Sequence, residues 1–279
     1  MVLKAYAKVN LILKVLGKNN DNYHTLQMLN AKIDLYDQIE IKKNNKKNDI
    51  VKFRGFNQDY IKDDLVLRCM NIIKNHYNIN DCFDITITKQ IPIGAGMGGG
   101  SCDIATIVKY LLKRYNIDEN FNQLINLLKD QSADIPYCLT NKVALVEGIG
   151  EKVSEVFVKV PDEFIIVNPR IYISTKRVFE KVKNYSKPFT KDILVKQIAT
   201  KGYNAFSNDL EETAFLLYPQ LQEIKKNLTK IGHTVMSGSG STMMVFGDDI
   251  TNMVEQIKNM YPQYFIRKVR IIKEKNNGN

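Results

Sequence analysis

The chain has 279 residues, 44% hydrophobic and 25% charged, the balance of an ordinary globular protein, so neither a disordered chain nor a collagen-like fibre fits. Its 40 Lys and Arg against 30 Asp and Glu leave a formal charge of +10, a field that suits a nucleic acid or, equally, an anionic small substrate such as a nucleotide. The basic residues are mostly Lys spread along the whole chain, and Arg, which bidentate phosphate and base recognition prefers, stands only at 54, 68, 114, 170, 177, 267 and 270. A nucleic-acid function is therefore the weaker reading.

No stretch approaches the roughly 18 consecutive apolar residues of a membrane span, and Lys4, Lys8 and Lys14 interrupt the apolar N-terminus. The expectation is a cytoplasmic protein with neither span nor signal peptide. Cys69, Cys82, Cys102 and Cys138 form no CxxC pair and His24, His76 and His233 no HExxH. That predicts reduced, mostly buried thiols and neither a zinc site nor a disulfide framework.

From Leu3 to Val15 every odd position is apolar while Lys4, Tyr6, Lys8, Asn10 and Lys14 occupy even ones. This alternation predicts a strand with one buried face and puts Lys8 and Asn10 on the same side. Gly17–Asn22 predicts a loop, Thr25–Leu35 a returning strand, and 39–42 and 50–54 further strands, all antiparallel in character. Helical spacing follows over 64–77, then a strand at Phe83–Thr88. After a glycine-rich segment, Ile104, Ile107, Val108, Leu111 and Leu112 form an apolar helical stripe. A second helix is predicted over 119–130, a turn shaped by Pro136 at Ser132–Leu139, and strand material over 143–153. Later come a strand at Phe164–Val167, a helix near Lys176 capped by Ser174 or Thr175, and helical stretches over 190–231. Strands about a SGSGS turn (237–241), a helix at 250–260 and a strand at 264–273 finish the chain. This later order is that of a split βαβ plait. Two α+β domains meeting near 155–163 are expected.

Five of the seven residues from Gly94 to Gly100 are glycine, after a strand and at the opening of a helix. Such a loop lets backbone N–H groups converge, and the helix N-terminus adds donors and partial positive charge, so phosphate is the natural guest. No Lys follows as in a Walker A loop. Gly94–Gly99 satisfies GxGxxG, but the second parallel strand of a dinucleotide fold has no counterpart in the polar Asn116–Asn122 segment. Asp134, in an otherwise apolar or small stretch, and Lys8, between Ala7 and Val9, are charges in company that demands partners; spacing alone leaves their functional and structural readings open.

AYAKVNLIL at 5–13, IPIGAGMGGGSCDIA at 91–105, SADIPYCL at 132–139 and SGSGST at 237–242 resemble, in order, the motif set of the GHMP kinases. DNYHTL at 21–26, GIGEKV at 148–153, SNDLE at 207–211 and YPQL at 218–221 resemble a member acting on a cytidine-diphosphate-bearing alcohol of the non-mevalonate isoprenoid route. The resemblance implies an α+β, two-domain GHMP kinase fold. Residues 1–160 would form an N-terminal catalytic domain of the ribosomal protein S5 domain 2-like type, and 161–279 a ferredoxin-like C-terminal domain.

It further implies ATP-dependent phosphorylation of the substrate's 2-hydroxyl, with Asp134 taking the proton and Lys8 holding Asp134 ionised and steadying the moving phosphoryl group. Pro92, Ile93, Gly94, Ala95, Gly96, Met97, Gly98, Gly99, Gly100, Ser101 and Cys102 would wrap the ATP phosphates. Mg2+ would ride on those phosphates, touched by the Ser101 hydroxyl, with no dedicated protein metal site. Tyr23 and Phe179 would stack on the cytosine, His24 read its edge, and Asn10 and Thr175 hydrogen-bond the substrate. The expected partner is this small molecule alone, with no nucleic acid or membrane, for a monomer or weak homodimer. A homoserine- or mevalonate-type kinase is the sibling reading, against which DNYH argues. The chain departs from the pattern at Asn22, where Gly is usual, at Cys102, which replaces a hydroxyl, and at the larger Ile104.

Overall fold

The structure is a computed structural model that describes residues 1–55 and 65–272. In chain order the elements are β1 (Val2–Lys18), β2 (His24–Asn44), β3 (Ile50–Arg54), α1 (Leu65–His76), β4 (Cys82–Thr88), α2 (Gly99–Arg114), α3 (Phe121–Leu128) and α4 (Ile135–Cys138). Then come β5 (Ala144–Gly148), β6 (Lys152–Glu155), β7 (Glu163–Asn168), α5 (Thr175–Glu180), α6 (Lys191–Lys201), a 3-10 turn (Gly202–Ala205), β8 (Ser207–Asn208), α7 (Leu210–Leu217) and α8 (Pro219–Leu228). The chain ends on β9 (His233–Met236), β10 (Met243–Phe246), α9 (Ile250–Met260) and β11 (Phe265–Arg270). Residues 64 and 273, included in predicted elements, lie outside the described residues.

The chain forms two compact units, neither continuous in sequence. The first comprises residues 1–8, 35–91 and 98–140. Its sheet runs β3-β4-β2-β1, using the second half of β2 and the opening residues of β1. Helix α2 packs on α1 and α4 and seals a core of Ile39, Ile41, Phe83, Ile85, Ile104, Val108 and Leu111. The stripe predicted from Ile104 onward is that buried face. Lys113 and Arg114 close the last turn, where cations meet the negative helix end.

The second unit comprises residues 9–34, 92–97 and 141–279 as far as they are described. The rest of β1 and the first half of β2 here join β8 on one side and the β5–β6 hairpin on the other. A separate four-stranded sheet has the order β11-β7-β10-β9 with every neighbour antiparallel. This is the predicted plait. Among the described residues no helix is long and apolar enough to cross a membrane.

Four expectations change. Strand β1 is not buried on one face only: Lys8, Asn10 and Ile12 are as inaccessible as Val9 and Leu11, because both faces are covered through its middle. The strands predicted at 25–35 and 39–42 are one 21-residue strand. The polar break at residues 36–38 does not end it, since buried Asp37 finds a cation and backbone donors. Strands β3 and β4 are parallel rather than antiparallel, as a connection through α1 allows. Finally, β8 interrupts the 190–231 stretch read as helical; two polar residues are too few to display a period, and pairing with Ile12 and Leu13 defines them.

Candidate active site

In the first unit, Lys8 enters on β1 and Asp134 stands at the start of α4, whose first turn holds Pro136. Ile135, Tyr137 and Cys138 are fully buried and pin this single helical turn, so the preceding carboxylate cannot sink with them. Lys8 Nζ lies 3.0 Å from Asp134 Oδ1, the lysine side chain 5% and the aspartate 33% exposed. The cation is sealed by its neighbours while the carboxylate keeps an open side. Ser132 and Ser101 bring the two elements together: their hydroxyls are 2.9 Å apart, and the Asp134 N–H donates to Ser132 Oγ at 3.4 Å.

Gly98 opens α2 with φ of 63° and no side-chain cap. A Cβ there would stand 2.8 Å from Lys8 Cγ and 2.9 Å from Cε. Glycine is thus required twice, for the left-handed backbone and for the passage of the lysine stem. The first carbonyl of α2 is used by Cys102 N–H at 2.9 Å, while its opening N–H groups are uncapped by any side chain and carry the positive helix end. A Cβ at Gly100 would meet nothing within 4 Å, so this end has room for an anion.

A second ionic cluster in the same unit was not singled out from sequence. Lys89 Nζ donates to Asp37 and, at 2.6 Å, to Asp103 Oδ2. Asp37 Oδ1 also accepts the N–H groups of Gln90 and Ile91 at 2.6 and 2.9 Å, anchoring the segment that leads into the glycine loop. Burial pushes the Asp103 carboxyl well above the usual range, against the pull of Lys89. Burial also disfavours the Lys89 charge, but Asp103 and Asp37 outweigh it and hold the ammonium above its ordinary value. The signals were Lys89, three residues before Pro92, and Asp103, inside the GGGSCD motif; nothing local linked them to Asp37. The Cys102 and Cys138 thiols face each other at 3.0 Å, both buried and reduced.

In the second unit, Gly94 and Gly96 have φ of 61° and 73°. A Cβ on Gly96 would strike the Ser237 carbonyl, and one on Gly94 would come within 2.6 Å of the Tyr172 ring. Ser237 Oγ donates to Gly96 O at 3.0 Å and accepts Asn10 N–H at 3.3 Å. The SGSGS segment is therefore both the β9–β10 turn and a backing for the glycine loop. Asn208 steadies it through Met236 O and Gly238 O. Ser174, not Thr175, caps α5; the Thr175 hydroxyl instead meets Ser239 Oγ at 2.8 Å.

The Asn19–Tyr23 turn is held by Asn19 Oδ1, which accepts the N–H groups of Asp21 and Tyr23. Asn22 adopts φ of 68°, a conformation Asn tolerates better than most residues. His24 follows with its ring 5.3 Å from Phe179 and 6.2 Å from Tyr185, which sequence reasoning missed. Burial, with Lys18 adding to it, lowers the His24 pKa. Its buried Nε2 has no hydrogen-bond partner. Tyr23, one residue earlier in the chain, is 64% exposed.

Residues 64–142 match the family described as GHMP kinases N terminal domain, and residues 192–263 that described as GHMP kinases C terminal. A 4-diphosphocytidyl-2-C-methyl-D-erythritol kinase of Clostridium botulinum (strain Langeland) is 35% identical over 283 residues, covering 96% of this chain and 99% of the relative. The chain belongs to the GHMP kinases. A kinase of the same name from Clostridium beijerinckii is 33% identical with the same coverage. A crystal structure of 4-(cytidine 5'-diphospho)-2C-methyl-D-erythritol kinase superimposes with TM-score 0.79 at 25% identity, covering 97% of this chain and 99% of that one. The Methanococcus jannaschii mevalonate kinase, at TM-score 0.67 and 17% identity over 98% of each chain, shares the fold. As a GHMP kinase this chain is a phosphotransferase. The Lys8–Asp134 pair and the glycine-opened helix α2 are features of its first unit, and the His24–Phe179 pair and the Asn10–Ser237 contacts of its second.

Proposed function

We propose that this GHMP kinase transfers the γ-phosphoryl group of ATP to the 2-hydroxyl of 4-diphosphocytidyl-2-C-methyl-D-erythritol, a step of the non-mevalonate isoprenoid route. The observation that carries the reading is the Lys8–Asp134 pair at 3.0 Å beside Gly98, in a chain whose relatives over nearly its full length bear that kinase's name.

Residues Pro92–Cys102 hold the triphosphate through backbone N–H groups and the N-terminus of α2. Asp134 accepts the proton of the 2-hydroxyl, the new O–P bond forms at the γ-phosphorus, and the bond to the β-bridging oxygen breaks to release ADP. Lys8 steadies the negative charge on the transferring group. Phosphoryl transfer asks mainly for such positioning and charge stabilisation. Mg2+ would be carried by the ATP phosphates and its own waters, with the Ser101 hydroxyl as the protein contact. When bound, Mg2+ neutralises phosphate charge. For the acceptor, Asn10 and Thr175 hydrogen-bond the substrate, Tyr23 and Phe179 stack on the cytosine, and His24, whose lowered pKa keeps it neutral, reads the base edge.

Purified full-length chain with ATP should release ADP in the presence of the cytidine acceptor and not of mevalonate or homoserine; the reverse preference would overturn the substrate. Tyr23→Ala should raise the acceptor KM about tenfold, the scale of one lost stacking contact, leaving the ATP KM nearly unchanged.

A further inference from the structure

Asn30 lies on β2, opposite Ala144 of β5, and is 0% exposed. Its Oδ1 accepts the Asn10 Nδ2 N–H at 2.8 Å, yet its own Nδ2 has no hydrogen-bond partner. A buried amide donor left without an acceptor destabilises the fold, and such groups are rare enough in native interiors to require a reason. On the same face of β2 its neighbours are Met28 and Lys32, both buried, and Met28 shows that an apolar side chain is accepted there. An Asn held there does something that a Leu would not.

One part of that reason is visible. Because the Asn30 carbonyl takes the Asn10 NH2, the Asn10 side chain is turned so that its own carbonyl oxygen faces Gly238, where a Cβ would come within 3.2 Å of it. The Asn10 backbone N–H meets Ser237 Oγ, and that hydroxyl donates to Gly96 O in the glycine loop. The amide of Asn30 thus sets the rotamer of a residue tied on its other side to the phosphate loop. The unpartnered donor lies within this polar cluster and calls for an oxygen.

We propose that Asn30 is a specificity-determining residue of the acceptor site: its free amide N–H donates to a hydroxyl or phosphate oxygen of the acceptor alcohol, and its carbonyl fixes the orientation of Asn10. The inference rests on the reading of Asn10 as an acceptor-binding residue of the cytidine-substrate kinase. It gives Asn30 two hydrogen bonds in the loaded enzyme, one to Asn10 and one to substrate, and removes the orphan.

The test uses the full-length chain, wild type and Asn30→Leu, with steady-state kinetics in each substrate and thermal melting. Asn30→Leu should raise the acceptor KM at least about tenfold, as the loss of a substrate contact together with the orientation of a second implies. The ATP KM should stay within about twofold, and the melting temperature should fall only modestly, by the loss of the acceptor for Asn10 Nδ2. A lowered melting temperature with unchanged acceptor KM would assign Asn30 a structural role and overturn the proposal, as would equal rises in both KM values. The wild type supplies a readout that needs no variant: the Asn30 side-chain 15N–1H resonances should shift on adding the cytidine acceptor and stay in place with ATP alone. Turnover of that acceptor without such a shift would overturn the Asn30 assignment only, whereas a wild type inactive on it would remove the underlying substrate reading and the proposal with it.

Discussion

The lysine–aspartate pairings around Lys8 and around Lys89, both in the first unit, differ in what surrounds the carboxylate. Around Lys89, both Asp37 and Asp103 are sealed, the first at 0% and the second at 1% exposure, and Asp37 spends its other oxygen on the backbone of Gln90 and Ile91. Around Lys8, Asp134 keeps 33% of its side chain open. The sealed cluster holds backbone in place, and Asp103 Oδ1 within it is buried without a hydrogen-bond partner. The half-open pair has a buried cation and a reachable oxygen, the division that suits the proton acceptor proposed for phosphoryl transfer.

The sharpest way to break this contrast is to disable each cluster in turn. Asp134→Asn should lower turnover by roughly 10²–10⁴-fold, the usual contribution of a positioned general base, while binding of a non-hydrolysable ATP analogue persists; steady-state rates and calorimetric titration decide it. Retained turnover would remove Asp134 from the chemistry. Lys89→Met should do the opposite. It leaves two carboxylates buried without their cation and should cost about 3–5 kcal/mol of folding stability, read by urea unfolding, with any activity loss following the loss of folded protein.

A subtler difference lies in pH. Because burial raises the Asp103 carboxyl above its unfolded value of about 4, the folded chain holds that proton more tightly than the unfolded one. The sign of linkage follows: the Asp103 contribution is fully present below the unfolded pKa and is lost as pH rises through the raised folded value. Asp103→Asn should therefore flatten the stability–pH curve above about pH 4, the wild type's relative advantage being largest at the acid end; parallel curves would contradict the shift. The smallest expected effect is that of Ser132→Ala, which removes the partner of Ser101 Oγ and of the Asp134 N–H. About 1 kcal/mol of stability or transition-state binding is at stake, seen as a severalfold fall in kcat/KM.

Much of the frame was legible because it repeats locally. The alternation of β1 and the stripe from Ile104 to Leu112 are periodic over enough residues to declare their element, and the glycine loop announces the helix start by composition. The order of β7, α5 onward and β11 was enough to expect the plait. What stayed hidden depends on residues far apart. Nothing around Asp37 indicates that it pairs with Lys89, 52 positions later, and Asn30 on β2 reads as the solvated side of an alternating strand until its second face is seen to be covered. The roles proposed for Lys8 and Asp134 rest on motif resemblance; the 3.0 Å between them is a fact that no spacing in one chain could supply.

The backbone leaves one compact unit for the other between Lys8 and Val9, and again between Met97 and Gly98. No single cut can therefore yield both halves as separate folded pieces. A fragment ending at residue 160 retains every stretch of the first unit but strips the second of β8 and its whole four-stranded sheet. Protease nicks, split-protein fusions and circular permutants of this chain will succeed or fail according to which threads they sever, whatever the distance from the reacting groups.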